Sequence, residues 1–191
     1  MRILYIHGFG GSKNGNSAKL LHNHLKKVID VEFIAPQMHN NLDFFEKNVH
    51  KIKSLYTKYQ PDLIIASSYG AMCTMIAKIK SVPQILINPC LNPLEIFPAI
   101  TNITETNLAQ LEIANFLLEK LNLCDDNVHY IISLYDELFG TEQVQYGITY
   151  LKNHGVTQIE TINSHSHKII PSMIDKYVVN IFKNIIESLQ I

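Results

Sequence analysis

Two adjacent serines, Ser67 and Ser68, lie where an apolar run ends and a helical pattern begins, in "DLIIASSYGAMCTMIAKI" (62–79). A nucleophilic serine between a strand and a helix needs a sharp turn that exposes its hydroxyl. Such a turn brings two backbones close together, so the residues two before and two after the nucleophile must be small. Ser68 has Ala66 and Gly70 there, whereas Ser67 has an isoleucine and a tyrosine. The spacing therefore favours a role for Ser68 as the nucleophile. The alternative is that a strand simply ends in polar residues here.

A serine hydroxyl is a weak nucleophile, so it needs a general base and an acid that orients the base. The segment "INSHSHKII" supplies two histidines after the last apolar run. His167 lies on a loop long enough to reach back over a sheet, and we favour it over His165, which has polar neighbours. Asp136 in "SLYDELFG" follows another predicted strand, and the adjacent Glu137 is the alternative acid.

The glycine-rich segment "HGFGGS" (7–12) follows the first predicted strand. Glycines allow backbone N–H groups to converge on an oxyanion, and we predict the N–H groups of Phe9 and Tyr69 as the donors. The start of the helix after Ser68 would add a favourable dipole. A phosphate-binding loop is the alternative, but the segment lacks both G-x-x-x-x-G-K-[S/T] and G-x-G-x-x-G.

The spacing of His165 and His167 also occurs among metal ligands. No cluster of acidic residues or cysteines accompanies the pair, so we expect no metal ion. The three cysteines are Cys73, Cys90 and Cys124, an odd number without C-x-x-C spacing. This usage favours a reducing compartment, and we expect a cytoplasmic protein.

Six short apolar runs must position these side chains, and they alternate with longer amphipathic segments. The runs are predicted strands at 2–7, 31–35, 62–66, 84–88, 128–134 and 158–162. The amphipathic segments are predicted helices at 17–28, 42–59, 71–79, 141–154 and 173–189. Connections of this length indicate a mostly parallel sheet with helices on both faces, a three-layer α/β sandwich. The last run alternates more regularly, which suggests an edge strand.

The segment from about 89 to 127 interrupts this alternation with three prolines and one helical stretch. We interpret it as a small helical lid on the edge of the sheet where the strands end. Leu91, Leu94 and Phe97 in this segment are candidates for the lining of an apolar acyl pocket, although such residues also occur in ordinary cores.

The totals favour a single domain of 191 residues, with 47% hydrophobic and 17% charged residues. The formal net charge is −1 and no basic run stands out, which argues against nucleic acid or an anionic membrane as a partner. The opening "MRILYIHGFGG" is too short for a signal peptide, and no apolar run approaches the roughly 20 residues of a membrane span. The oligomeric state does not follow from the sequence.

Ser68, Asp136 and His167 occur in the chain order of α/β-hydrolases. The segments "ILYIHGFGGS", "ASSYGA", "LINPCLNPLE" and "YDELFGTEQ" make the chain resemble that superfamily over nearly its whole length, and more narrowly the small bacterial YqiA-type esterases. The resemblance implies a minimal α/β-hydrolase fold and hydrolysis of short-chain esters or acyl thioesters without a cofactor. It also implies that these three residues occupy the catalytic triad positions. Ala66 and Ala71 replace glycines of the family pattern, and "SHSH" replaces its glycine-rich lead-in.

We therefore predict a serine hydrolase that acts on a small acyl ester or thioester through an acyl-enzyme. One alternative is a binding protein that keeps the fold without catalysis. Another is a peptidase or amidase that uses the same three residues, because a triad does not distinguish an ester from an amide.

Overall fold

A single parallel sheet forms the centre of the protein in the computed structural model, which describes residues 1–80 and 82–189. Its six strands in the described chain are β1 (Arg2–Ile6), β2 (Glu32–Ile34), β3 (Leu63–Ser67), β4 (Gln84–Ile87), β5 (Val128–Ser133) and β6 (Ile159–Ile162). Their order is β2-β1-β3-β4-β5-β6, and each neighbouring pair is parallel. The predicted fold class is confirmed, and the strand that alternates most, β6, lies at an edge.

Helices connect consecutive strands and cover both faces of the sheet. They are α1 (Asn16–Leu25), α2 (Phe45–Tyr59) after a 3₁₀ turn (Leu42–Phe44), α3 (Tyr69–Ala77), α4 (Pro93–Ile100), α5 (Glu105–Glu119), α6 (Gly140–Asn153), α7 (Pro171–Met173) and, after a π-helical turn (Ile174–Val178), α8 (Val179–Leu189). The predicted helix 17–28 ends earlier, at Leu25, where a turn closed by the bond from the Val28 N–H to the Leu25 carbonyl leads towards β2. The predicted helix 71–79 begins earlier, at Tyr69, directly after Ser68.

Side-chain alternation along the strands divides the core into two apolar layers. Leu4, Ile6 and Leu86 face the layer of α2, α3, α5 and α6, whereas Ile3, Ile65 and Ile85 face α1 and α8. All six of these strand residues are fully buried. Because burying one such side chain stabilises the fold by about 1.5–3 kcal/mol, the two layers hold the carboxyl ends of the strands rigidly together.

The segment 89–127 contributes two helices that differ in their surroundings. α5 begins at a capping box formed by Thr104 and Asn107, and it buries Leu111, Ala114 and Leu118 in the core. α4 lies near the carboxyl end of β4, beside the candidate site. The lid interpretation stays a prediction, and α4 is the part of the segment to which it applies.

Among the described residues, no helix is both long enough and apolar enough to cross a membrane.

Candidate active site

Parallel strands end at the same edge of the sheet, and the predicted site residues follow those ends. Ser68 comes directly after β3, and the segment from His7 follows β1. Asp136 lies three residues after β5, and His167 lies five residues after β6. The crevice outside the carboxyl ends of the strands is where ligands bind in such sheets.

Ser68 adopts a backbone conformation that residues with a side chain rarely adopt. Its φ is 54° and its ψ is −125°, between a strand that ends at Ser67 and a helix that begins at Tyr69. The backbone bond from its N–H to the Ile87 carbonyl, 2.9 Å, ties the turn to β4. Strain of this kind costs on the order of 1–3 kcal/mol and persists only where the surrounding structure enforces it.

Gly70, just after the turn, must be small because the end of β1 lies against it. A Cβ atom added to Gly70 would lie 2.4 Å from the His7 carbonyl oxygen and 2.7 Å from that of Ile6. The start of α3 therefore packs against the end of β1. From the sequence we expected this close approach at the strand that carries the serine. Gly70 is the residue concerned, but the strand that it approaches is β1.

Ser68, His167 and Asp136 form one chain of hydrogen bonds. The His167 Nε2 atom lies 2.9 Å from the Ser68 Oγ atom, and its Nδ1 atom lies 2.6 Å from the Asp136 Oδ2 atom. Asp136 is buried, and its second carboxylate oxygen accepts the N–H groups of Leu138 and Phe139 at 2.9 and 3.0 Å. These bonds hold the carboxylate so that Nδ1 carries the ring proton and Nε2 is free to accept one from Ser68.

The alternative residues for the base and the acid lie on the surface. His165 is exposed, and its ring stacks on Tyr135 with the ring centroids 5.2 Å apart. The carboxylate of Glu137 is likewise exposed, and only its backbone N–H contacts this loop, at the His165 carbonyl. The structure thus brings His167 and Asp136, rather than their neighbours, to Ser68.

The segment after β1 approaches Ser68 closely enough to present backbone donors. A Cβ atom added to Gly8 would lie 2.9 Å from the Ser68 Cβ atom and 3.4 Å from its Oγ atom. The next N–H belongs to Phe9, and the first N–H of α3 belongs to Tyr69. Neither group donates to an acceptor within residues 1–80 and 82–189. Both N–H groups therefore lack a protein acceptor in the described chain, and their role as oxyanion donors stays a prediction.

Sequence analysis missed His7, which fixes this segment from inside. His7 is buried, with its Nδ1 atom 2.8 Å from the Gly8 carbonyl and its Nε2 atom accepting the Met38 N–H at 3.1 Å. Burial lowers the pKa of His7, the bond to the Gly8 carbonyl opposes this, and the charge of Lys51 adds to it. The neutral ring suits both bonds, because one nitrogen donates and the other accepts.

Asn88, which the sequence did not single out, ties the ends of β4 and β5 to the loop that carries His167. Its Oδ1 atom accepts the Ser133 N–H at 2.8 Å, and its Nδ2 atom donates to the Ser133 Oγ atom at 3.2 Å and to the His167 carbonyl at 3.0 Å. Asn88 also has a positive φ of 44°, which asparagine tolerates better than most residues. A polar residue at a buried strand end was the only signal in the sequence.

A cavity of about 500 Å³ opens over the hydrogen-bonded serine and histidine. Phe9 and Phe97 line it, and their rings meet edge to face with centroids 5.4 Å apart. Leu91 lines a separate small cavity beside α6, and Leu94 is a partly buried residue packed on the core. Of the three predicted pocket residues, the structure therefore brings only Phe97 to the cavity above Ser68.

No group of three or more histidines, cysteines, aspartates or glutamates suited to a metal ion occurs in the described part of the chain.

A comparison with protein-family models decides the family. Residues 2–122, more than half of the chain, match the model of the uncharacterised protein family UPF0227. The chain belongs to this family. The resemblance to YqiA-type proteins is thereby confirmed. The matched residues of this UPF0227 chain include Ser68 and the segment after β1, and they end before Asp136 and His167.

Solved structures share the fold of this UPF0227 chain at low sequence identity. A monoacylglycerol lipase from Paleococcus ferrophilus has a TM-score of 0.65 at 12% identity, covering 97% of this chain and 94% of its own. A protein from Xanthomonas campestris assigned to the alpha/beta hydrolase superfamily has a TM-score of 0.58 at 13% identity, covering 99% and 98%. The esterase domain of a Rhodothermus marinus protein has a TM-score of 0.62 at 16% identity, covering 84% and 75%. No curated protein matches the chain in sequence.

Proposed function

We propose that the protein is a serine hydrolase that cleaves carboxylic esters or acyl thioesters of short acyl chains. The observation that carries the proposal is the continuous hydrogen-bond chain from Asp136 through His167 to Ser68, at 2.6 and 2.9 Å. The strained turn at Ser68 supports it, because the turn holds the hydroxyl at the cavity. The esterase domain and the lipase that share the fold agree with this chemistry.

The proposed reaction begins when the Ser68 Oγ atom attacks the substrate carbonyl carbon and His167 Nε2 takes the hydroxyl proton. The negative charge on the carbonyl oxygen is held by the N–H groups of Phe9 and Tyr69. The bond to the leaving alcohol or thiol then breaks, and the proton on His167 passes to the leaving atom. Asp136 keeps the imidazole oriented and stabilises its charged form.

The second step repeats the first with water as the nucleophile. His167 takes a proton from water, the hydroxide attacks the acyl carbon, and the bond to Ser68 breaks. The proton returns to the Ser68 oxygen, and the carboxylic acid leaves. The acyl chain occupies the apolar part of the cavity beside Phe9 and Phe97.

We also propose that the protein works in the reducing cytoplasm. Cys73, Cys90 and Cys124 are all free, and the first two are buried. Burial raises the pKa of Cys73 to about 12, so this thiol remains protonated and unreactive at neutral pH.

The test of the proposed function is Ser68→Ala assayed with p-nitrophenyl butyrate and with butyryl-CoA. We expect kcat/KM to fall on the order of 10³-fold or more, with the folded structure preserved by circular dichroism. His167→Ala is expected to lose activity similarly, and His165→Ala, on the exposed neighbour, serves as its matched control. Full turnover by a folded Ser68→Ala variant would contradict the mechanism.

A further inference from the structure

The cavity above Ser68 has two sides of different chemistry. One side is apolar and is formed by Phe9, Phe97 and the α4 residues Ile96 and Ile100. The other side, here called the hydroxyl side, lies at the start of α1. It is lined by Tyr5, Ser12, Asn16, Ser17 and Ser67. The proposed acyl chain uses the first side and leaves the second without a role.

The hydroxyl side follows from the alternation of side chains on β1 and β3. Tyr5 packs with the layer of α1 and α8, together with Ile65 two positions before Ser67. Ser67 therefore points to the same face as Ile65, away from α3. Ser67, which is not the proposed nucleophile, thus has its hydroxyl on the face opposite the apolar pocket, and it lines the same cavity as Ser68.

Tyr5 and Ser67 form a hydroxyl pair with unused hydrogen-bonding capacity. The Tyr5 Oη atom and the Ser67 Oγ atom are 3.1 Å apart, and Ser17 lies beside the tyrosine as a further partner. Each hydroxyl has one proton and accepts two bonds, so the mutual bond uses only one of the two protons. Whichever residue donates, the pair retains an O–H and several lone pairs. Ser67 is only partly buried and lines the cavity, so it can offer these to a ligand.

The chain that follows His167 lies on this face, whereas the His167 ring itself contacts Phe139, with the ring centroids 4.4 Å apart. The next residue, Lys168, lines the cavity, and Ile169 packs in the layer of α1 and α8. None of the described residues that line the cavity is an aspartate or a glutamate. In the proposed reaction His167 delivers its proton to the leaving atom, so the leaving oxygen must lie within reach of the His167 Nε2 atom, which is 2.9 Å from the Ser68 Oγ atom.

We propose that the hydroxyl side binds the alcohol part of the substrate and that this alcohol is a polyol of the glycerol type. The inference rests on the proposed function and specifies its substrate class. Hydroxyl groups of a polyol both donate and accept, which matches the mixed donors and acceptors of Tyr5, Ser17 and Ser67. An alkyl alcohol would displace water from these hydroxyls and would form no hydrogen bonds in its place. A site that hydrogen-bonds its substrate discriminates against such an analogue.

The step concerned is the release of the alcohol. The bond between the carbonyl carbon and the alcohol oxygen breaks, the electron pair stays on that oxygen, and the proton from His167 Nε2 joins it. The acyl group remains on Ser68. Bonds from Ser67 to the neighbouring hydroxyls of the polyol would hold the leaving oxygen within reach of His167.

The experiment compares two esters that share the acyl group and the three-carbon skeleton of the alcohol, glycerol monobutyrate and propyl butyrate. The release of butyrate is followed by titration at constant pH. We expect the wild-type protein to favour the glycerol ester in kcat/KM by about tenfold, from one or two hydrogen bonds to substrate hydroxyls. Ser67→Ala and Tyr5→Phe should each reduce this preference by about three- to tenfold. Ser54→Ala is the matched control, because Ser54 is exposed on α2 and outside the cavity lining.

Equal efficiency with the two esters in the wild-type protein would overturn the inference and leave the proposed function intact. So would a wild-type preference that both Ser67→Ala and Tyr5→Phe retain. If neither ester is cleaved in a manner that depends on Ser68, the proposed function itself fails and the inference fails with it. Thermal unfolding of each variant shows whether a lost preference comes with a lost fold.

Discussion

The strained backbone of Ser68 makes a prediction about stability that needs no substrate. We compare Ser68→Gly with Ser68→Ala, two variants that both lose the hydroxyl and its bond to His167. At a φ of 54° and a ψ of −125°, a residue with a Cβ atom is strained by about 1–3 kcal/mol. Glycine escapes this strain but loses about 0.5–1 kcal/mol because its unfolded chain is more flexible. The difference leaves Ser68→Gly more stable than Ser68→Ala by about 1 kcal/mol.

The neighbouring serine provides a control with the opposite sign. Ser67 lies in β3 with an extended backbone, so Ser67→Gly should be less stable than Ser67→Ala by about 0.5–1 kcal/mol. Urea unfolding followed by circular dichroism measures all four variants. For a domain of this size, 1 kcal/mol corresponds to a shift of about 2–4 °C in Tm. If alanine proved more stable than glycine at both positions, the strain at Ser68 would be refuted.

Three further predictions concern residues that support the site. Gly70→Ala should destabilise the fold by about 1–3 kcal/mol, since its Cβ atom would overlap two backbone carbonyls, whereas Gly147→Ala meets only a movable leucine side chain and should be nearly neutral in urea unfolding. Burial lowers the pKa of His7, so the unfolded chain binds a proton before the folded protein does as the pH falls. His7 therefore stabilises the fold above about pH 6.5 and loses this contribution below it. The free energy of unfolding then changes by at most about 1.4 kcal/mol per pH unit. Unfolding measured from pH 7 to 5 should therefore show a shallower slope in His7→Asn, and equal slopes would contradict this assignment. Asn88→Ala should lower kcat by about tenfold or more while KM changes little, because it frees the His167 loop from β4 and β5; an unchanged kcat would show that the loop is held by other contacts.

Local patterns in the sequence were sufficient to predict the strands and to place Ser68, rather than Ser67, at the turn between β3 and α3. The strands are continuous apolar runs because both faces of the sheet are covered, and such runs are recognisable without a structure. Ser68 was separated from Ser67 by the size of its neighbours, a steric property that the sequence states directly. The contact that makes Gly70 necessary involves β1, more than sixty residues earlier, and no local pattern shows it.

The roles of His7 and Asn88 could not be predicted from the sequence for the same reason. His7 bonds to Met38, and Asn88 bonds to Ser133 and His167, so their roles depend on partners distant in the chain.

The prediction of the pocket residues failed for a different reason. An apolar residue after a strand looks the same in sequence whether it faces a cavity or the core, and only the path of α4 turns Phe97 towards the site and leaves Leu91 beside α6.

A fluorophosphonate probe shows whether Ser68 is an activated nucleophile. The probe reacts covalently with serines whose hydroxyl is activated by a base, and peptide mass spectrometry locates the adduct. We predict one adduct on Ser68, absent from His167→Ala and present in His165→Ala. A protein that stays unlabelled, or one labelled on Ser67, would contradict the account.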